Sequence, residues 1–311
     1  MAGVSNVLPT YGDASVKEDV VLNAVEILTA KETQIFNMLP KTKAISTVHS
    51  YLTDTLKTPG LNATEETSDY TFLQRTTPSR QTNIVQIISI PFRVSRTQRE
   101  VEHYHGEDEL ARQTEKALRE WANDAEYNLL RSTLTSGVSG TTAPAMSGIL
   151  EAISTSTNVT AHSSGTVFSA TILDGLMRAN WENSNGDVAT DLFLGSFLRS
   201  VMDGFTQKTN VVVNNPAGAT SIVRTVTTYE TAFGSLRVHT HRYLNVAGTD
   251  ATGRVLGIRP EKLAVAFLKK PYIDTELSRS GDYDARAVVG KLTLEVKNKQ
   301  SNFLATGFDI D

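Results

Sequence analysis

Cysteine is missing altogether from the 311 residues. That removes disulfides, thiolate nucleophiles and sulfur metal ligands, and it fits a reducing compartment. No apolar run approaches the ~18–20 residues of a membrane span, so no membrane partner is expected. The opening residues, MAGVSNVLPTYGD, lack the basic and apolar regions of a secretory signal. A soluble chain, intracellular when made, is the expectation. Positive charge is not in excess either: 30 Lys and Arg stand against 34 Asp and Glu, a net charge of −4. A strong nucleic-acid clamp would need clustered cations instead.

Chemical signatures are equally scarce. No GxGxxG, Walker, GxSxG or HExxH pattern occurs. His103 with His105, and His239 with His241, are i,i+2 pairs that could share a strand face. A metal would also need further ligands and supporting groups around them, and exposed or packed imidazoles are the plainer reading. Gly281-Asp282-Tyr283-Asp284 lacks the alternating acids and final Glu of a calcium loop, and reads as a charged turn between strands. Asn158-Val-Thr160 matches a glycosylation acceptor, without meaning in a chain with no secretory signal. Paired carboxylates show no spacing that separates an acid from a base. Neither enzymatic activity nor a cofactor or metal is expected, and this emptiness points to a structural role.

What is present is architecture. Residues 105–134, HGEDELARQTEKALREWANDAEYNLLRSTL, read as one long helix of ~42 Å. Leu110, Thr114, Ala117, Trp121, Ala125 and Asn128 form its stripe, which Leu118, Ala122 and Leu129 widen. Asp108–Arg112 and Glu115–Arg119 are expected as i,i+4 pairs. Before it, residues 45–56 and 82–96 read as two extended arms joined by a polar connection, 57–81, that carries Pro59-Gly60 and Pro78. Arms of about 12 residues would reach ~40 Å, against a radius of gyration of ~20 Å for a globule of this length. The hairpin is therefore expected to leave its own body and find cover on a neighbouring copy. Capping boxes at Ser15 and at Thr29 open a kinked or divided helix expected to close at Pro40. Residues 135–166, rich in Ser, Thr, Gly and Ala, read as a linker and loops. Ser169 caps a helix that stops near Gly186. Asp191–Leu194 reads as a buried strand and Ser196–Phe205 as a helix. Strands are expected at Val211–Val213, Thr220–Tyr229, Leu236–Tyr243, Arg254–Ile258, Leu263–Leu268 and Ala287–Lys297.

This order of elements resembles the HK97-type major capsid proteins of tailed phages, and the chain is similar to the SU10-like major capsid protein family. The matching stretches are VHSYLTDTL (48–56), FRVSRTQREVE (92–102) and LAVAFLKKPYIDTELSRSGDYDARAVVGKLTLEVKN (263–298). The last has an aromatic-bearing strand, a proline, a T-x-L-x-(R/K)-(S/T)-G-D turn and a T-L-E-V-(K/R)-N strand. The resemblance implies an α+β, HK97-like phage capsid fold. Its parts would be an N-terminal arm (1–44), an extended β-hairpin loop (45–96), a peripheral domain with spine helix (97–143 and 257–311) and a mixed α/β axial domain (144–256). The implied function is a structural subunit that self-assembles into hexamers and pentamers, forming an icosahedral shell around double-stranded DNA. Subunit contacts are expected at Tyr51, Leu56, Lys57, Pro59, Gly60, Tyr70, Phe72 and Arg75 of the loop, and at the turn charges Arg279, Asp282, Asp284 and Arg286. The expected partners are further copies of the chain, a portal, scaffolding or decoration proteins, and DNA held without specificity. Location in a virion capsid assembled in the host cytoplasm follows. An unprocessed N-terminus with any scaffolding supplied separately is also expected. Some relatives crosslink a Lys to an Asn, but nothing in the pattern gives Lys57 that role. An encapsulin-like compartment shell is the alternative, and a tail or decoration protein a weaker one.

Overall fold

The computed structural model describes residues 33–57, 59–69, 72, 75–100, 108–137, 141–205, 226–246, 250–277 and 281–310. The start of the helix expected from Ser15, the strand at Val211–Val213 and the pair His103/His105 lie outside them. The first described element is a short helix, α1 (Gln34–Met38). It ends because a proline disfavours helical backbone in the residue before it, and Leu39, before Pro40, is extended with ψ 138°.

Two sheets follow. The first has four strands in the order β1 (Lys41–Lys43), β10 (Leu263–Asp274), β11 (Tyr283–Val296), β4 (Gln86–Ser95). β1 is parallel to β10, and the other pairings are antiparallel. Across one face lies the long helix α3 (Glu109–Arg131), about 35 Å at ~1.5 Å per residue. It is shorter than 105–134 at both ends: Asp108 is the N-cap, accepting from the Leu110 N–H at 3.2 Å, and Ser132 is already extended. Residues 105–107 lie outside the described set. Leu110, Ala117, Trp121, Ala125 and Leu129 are buried along it as the spacing predicts, whereas Leu118 is 40% exposed. Trp121 lies against the sheet, and only glycine fits beneath it: a Cβ on Gly290 would sit 2.3 Å from the indole ring. The indole N–H donates to the Ile88 carbonyl at 3.2 Å.

The second sheet has the order β5 (Val159–Thr166), β12 (Phe303–Phe308), β9 (Gly253–Ile258), β6 (Asp191–Leu194), β8 (Gly234–Thr240), β7 (Thr228–Thr231). Helices α5 (Ala170–Ser184) and α6 (Ser196–Asp203) fill one core with Phe168, Leu192 and Phe308. Ser169 caps α5 as expected, and Asn185 with Gly186, both at positive φ, turn the chain out of it. Phe193, Leu256 and Leu304 belong instead to the core under α3, so the two sheets share apolar contacts.

Three expectations need correction. Residues 135–166 are not merely loops: they hold α4 (Ile149–Ser154), with Ile149 and Ile153 fully buried, and β5, an edge strand parallel to β12. The stretch 82–96 is two strands rather than one arm. β2 (Val48–Thr53) pairs with β3 (Ser79–Ile84) as a separate two-stranded ribbon, and β4 turns away into the four-stranded sheet. The break is at Val85, whose N–H donates to Thr47 and whose side chain packs with Ala44 and Ala266. Finally, residues 257–311 do not stay together, because β12 joins the six-stranded sheet through β5 and β9.

Candidate functional site

The ribbon β2–β3 is fastened at its root and bare at its tip. At the root, His49 Nε2 lies 3.3 Å from Glu295 Oε2, and Asn83 donates to the carbonyls of Leu294 (2.8 Å) and Ser147 (3.1 Å). The Tyr51 hydroxyl accepts from the Val296 N–H at 3.2 Å. Burial pushes this hydroxyl above the usual tyrosine range, and nearby Glu295 adds to the rise against the opposing Val296 bond. Tyr51 is therefore engaged within its own chain rather than offered outward. Beyond Thr53 every described residue up to Pro78 is exposed. Leu56, Leu61 and Phe72 are 97%, 105% and 94% exposed. Lys57, Pro59, Gly60 and Arg75 are exposed beside them, and Lys57 donates to Asn62, 3.3 Å away. Tyr70 lies outside the described residues. Three large apolar side chains on a segment with no core beneath it form a contact surface awaiting a cover.

The charged turn is organised differently from its expectation. Arg279 lies outside the described residues. Asp284, with only 14% of its side chain exposed, binds Arg99 at 2.6 Å and lies 3.6 Å from Arg96. Arg96 also lies 3.9 Å from the exposed Asp282, and Arg99 reaches Asp108 at 3.2 Å. Hydrogen bonds from Arg99 and the Leu110 N–H hold the Asp108 carboxyl below the usual range, and the charges of Arg99 and Arg286 add to this. The cause is register: Ser95 pairs with Tyr283 and Val94 with Asp284, so helix α2 (Arg96–Glu100) starts beside the turn. Asp284 thus fastens α2 and the start of α3 inside one subunit. Arg96 and Arg99 were missed by sequence reasoning, since nothing local ties them to the turn; Arg99 and Asp284 are 185 positions apart.

Two further groups carry no sequence signature. Glu126, fully buried in α3, accepts from the N–H groups of Ile35 (2.7 Å) and Phe36 (2.6 Å), and His241 Nε2 lies 2.8 Å away. The Tyr243 N–H donates to His241 Nδ1 at 3.3 Å, so the ring proton sits on Nε2 and points at Glu126. One carboxyl group thereby ties α1, the long helix and the segment after β8. At the end of α3, Arg131 grips Asp250 with two bonds, 2.6 and 2.8 Å, and Arg254 adds a third contact at 2.7 Å. Burial alone would raise the Asp250 carboxyl. The bonds from Arg131 and the Val246 N–H, with the charges of Arg254 and Arg131, outweigh it and lower the group to about 2. His239 is committed separately, to Asp191 at 2.9 Å, so the i,i+2 histidines serve two different carboxylates. Among the described residues no group of three or more acids and histidines is placed to hold a metal.

These contacts tie the body of one subunit together while the arm stays uncovered, and solved structures share the fold. The capsid of Myoviridae phage XM1 superposes with a TM-score of 0.64 at 9% identity, covering 98% of this chain and 100% of that one. The capsid of an empty GTA particle gives 0.64 at 13% identity, covering 97% and 100%. The holo-SrpI encapsulin complex of Synechococcus elongatus gives 0.59 at 10% identity, covering 92% of both chains. No curated protein matches the sequence. The family model of the SU10 major capsid protein matches residues 8–309. The fold is that of HK97-like phage capsids, and the chain belongs to the SU10 major capsid protein family, as a structural component of a phage shell.

Proposed function

We propose that the chain closes into hexamers and pentamers that enclose double-stranded phage DNA, with the loop tip of each copy lying over its neighbour. The observation that carries this reading is the bare tip beyond Thr53, where Leu56, Leu61 and Phe72 stand almost fully in solvent. Covering one such side chain contributes ~1.5–3 kcal/mol, and each copy would gain this at a heterologous contact that a rotation can close into a ring. Leu56, Lys57, Pro59, Gly60, Phe72 and Arg75 would touch the neighbour. Asp282 and Arg286 would lie at a second contact, and Arg279 and Tyr70 are assigned to these contacts on sequence alone.

In this reading residues up to 44 form an arm, 45–84 the extended loop, and 85–143 with 257–302 the peripheral unit, since β4 lies in the four-stranded sheet. Residues 144–256 form the axial unit, with β12 returning to it. DNA would be enclosed rather than gripped, given the net charge of −4. A portal, and scaffolding or decoration proteins, would complete the particle, assembled in the host cytoplasm. No catalytic role is proposed.

The encapsulin likeness supports a second reading, a shell around a protein cargo, and the contents of purified particles separate the two. The test of the main reading is sedimentation and negative-stain microscopy of the full chain beside a variant whose residues 56–76 are replaced by a short Gly-Ser link. Rings or shells are expected from the first and folded monomers from the second. Monomers alone from the intact chain at high concentration would refute self-assembly. Normal shells from the shortened chain would refute the role of the loop.

A further inference from the structure

The four-stranded sheet has a face turned away from α3, and Lys291 and Lys269 stand on it with Lys270 exposed beside them. Trp121 rests on Gly290, and Leu292 and Leu294 lie in the core, so the odd-numbered positions of β11 point to the other side. Lys291 is one of these, and the register sets it directly opposite Lys269 on β10. Like charges opposed across a ladder repel. Lys270 follows at once, where β10 is irregular between Lys269 and Tyr272. Lys269 Nζ rests 3.6 Å from the centre of the Tyr272 ring. Among the described residues no carboxylate forms an ion pair with any of the three. The neighbouring floor is low: Ser89 pairs with Val289 and Pro91 with Ala287, and Ser89 and Pro91 are exposed.

The subunit's own loop is directed elsewhere. With His49 at Glu295 and Tyr51 at Val296, β2 leaves the sheet past the end of β11. Lys291 lies five residues back along that strand, about 17 Å at ~3.4 Å per residue. The tip is acidic: within residues 54–78, Asp54, Glu65, Glu66 and Asp69 outnumber Lys57 and Arg75. A copy therefore carries an acidic arm that points away from its own cationic face.

We propose that Lys269, Lys270 and Lys291 receive the acidic tip segment Glu65–Asp69 of a second copy, an inference that rests on the loop-to-neighbour reading above. The pairing relieves the Lys269–Lys291 repulsion only on assembly. It makes the contact directional, because tip and face differ in sign, and it makes assembly sensitive to salt.

The test is charge reversal in the full chain, read as the assembled fraction by sedimentation at low and high salt. Lys269→Glu with Lys270→Glu is expected to lower it about tenfold at low salt. Glu65→Lys with Glu66→Lys, on a fully exposed segment where folding is not at risk, is expected to do the same. All four substitutions together should restore assembly. Wild-type assembly by either double variant overturns the pairing. So does a quadruple variant that stays monomeric while the loop-shortened chain also fails to assemble: the loop then has a different receiver. Normal assembly by the loop-shortened chain is a separate failure, that of the loop reading itself.

Discussion

Glu126 joins three parts of the chain through one buried carboxyl group. A buried carboxyl group without partners is costly, and here two backbone N–H groups and one imidazole surround it. Removing it by Glu126→Ala orphans all three donors at once. The expected loss is ~3–5 kcal/mol, the range for breaking a buried pair from one side, measured by urea unfolding of unassembled subunit. Hydrogen exchange at Ile35 and Phe36 should rise with it, and a loss under ~1 kcal/mol would refute the assigned role. This residue was not legible in the sequence. Glu126 sits in a helix that also carries Glu115 and Glu120, and only the fold brings His241, 115 positions away, against it.

At the scale of elements, the spacing of apolar residues placed the long helix and its buried stripe, because a helix repeats every 3.6 residues whatever it packs on. It could not show what lay beneath Trp121. Gly290 is a featureless gap in an alternating strand until the indole is seen resting on it. Gly290→Val should therefore destabilise the unassembled subunit by ~1–3 kcal/mol through overpacking, with a loss of near-ultraviolet tryptophan signal. A variant as stable as the parent would mean that the ring can move aside. The pattern also misjudged 82–96, which reads as one extended arm although its buried positions change phase, from Asn83 and Val85 to Ile88 and Val94. The carbonyl of Thr47 decides where one strand ends. Residues 135–166 misled by composition: Ser and Thr fill β5 since an edge strand keeps contact with water.

At the scale of the whole molecule, the subunit has a well-packed body and an arm that is bare at its tip, and the two properties belong together. A contact with a neighbour is made cheaply if only the arm must be ordered on binding. Lys57 and Arg75 flank the exposed tip, so trypsin should cut free subunits there first and leave the body intact. Assembled particles should resist the same treatment. Equal rates of cutting in the two states would contradict coverage of the tip by a neighbour.

The sequence by itself determined the absence of cysteine chemistry, the long helix, the capped helix at Ser169, the strand at 191–194 and an arm too polar and too long to lie in a core. These depend on local propensity and period, which a linear chain carries in full. The tertiary structure alone decided which arm residues turn home, as Tyr51 does, and which stay bare. It alone joined Asp284 to Arg99, Glu126 to His241 and Lys269 to Lys291. Those pairings are fixed by strand register and helix packing between residues far apart in the chain, and no local pattern specifies them.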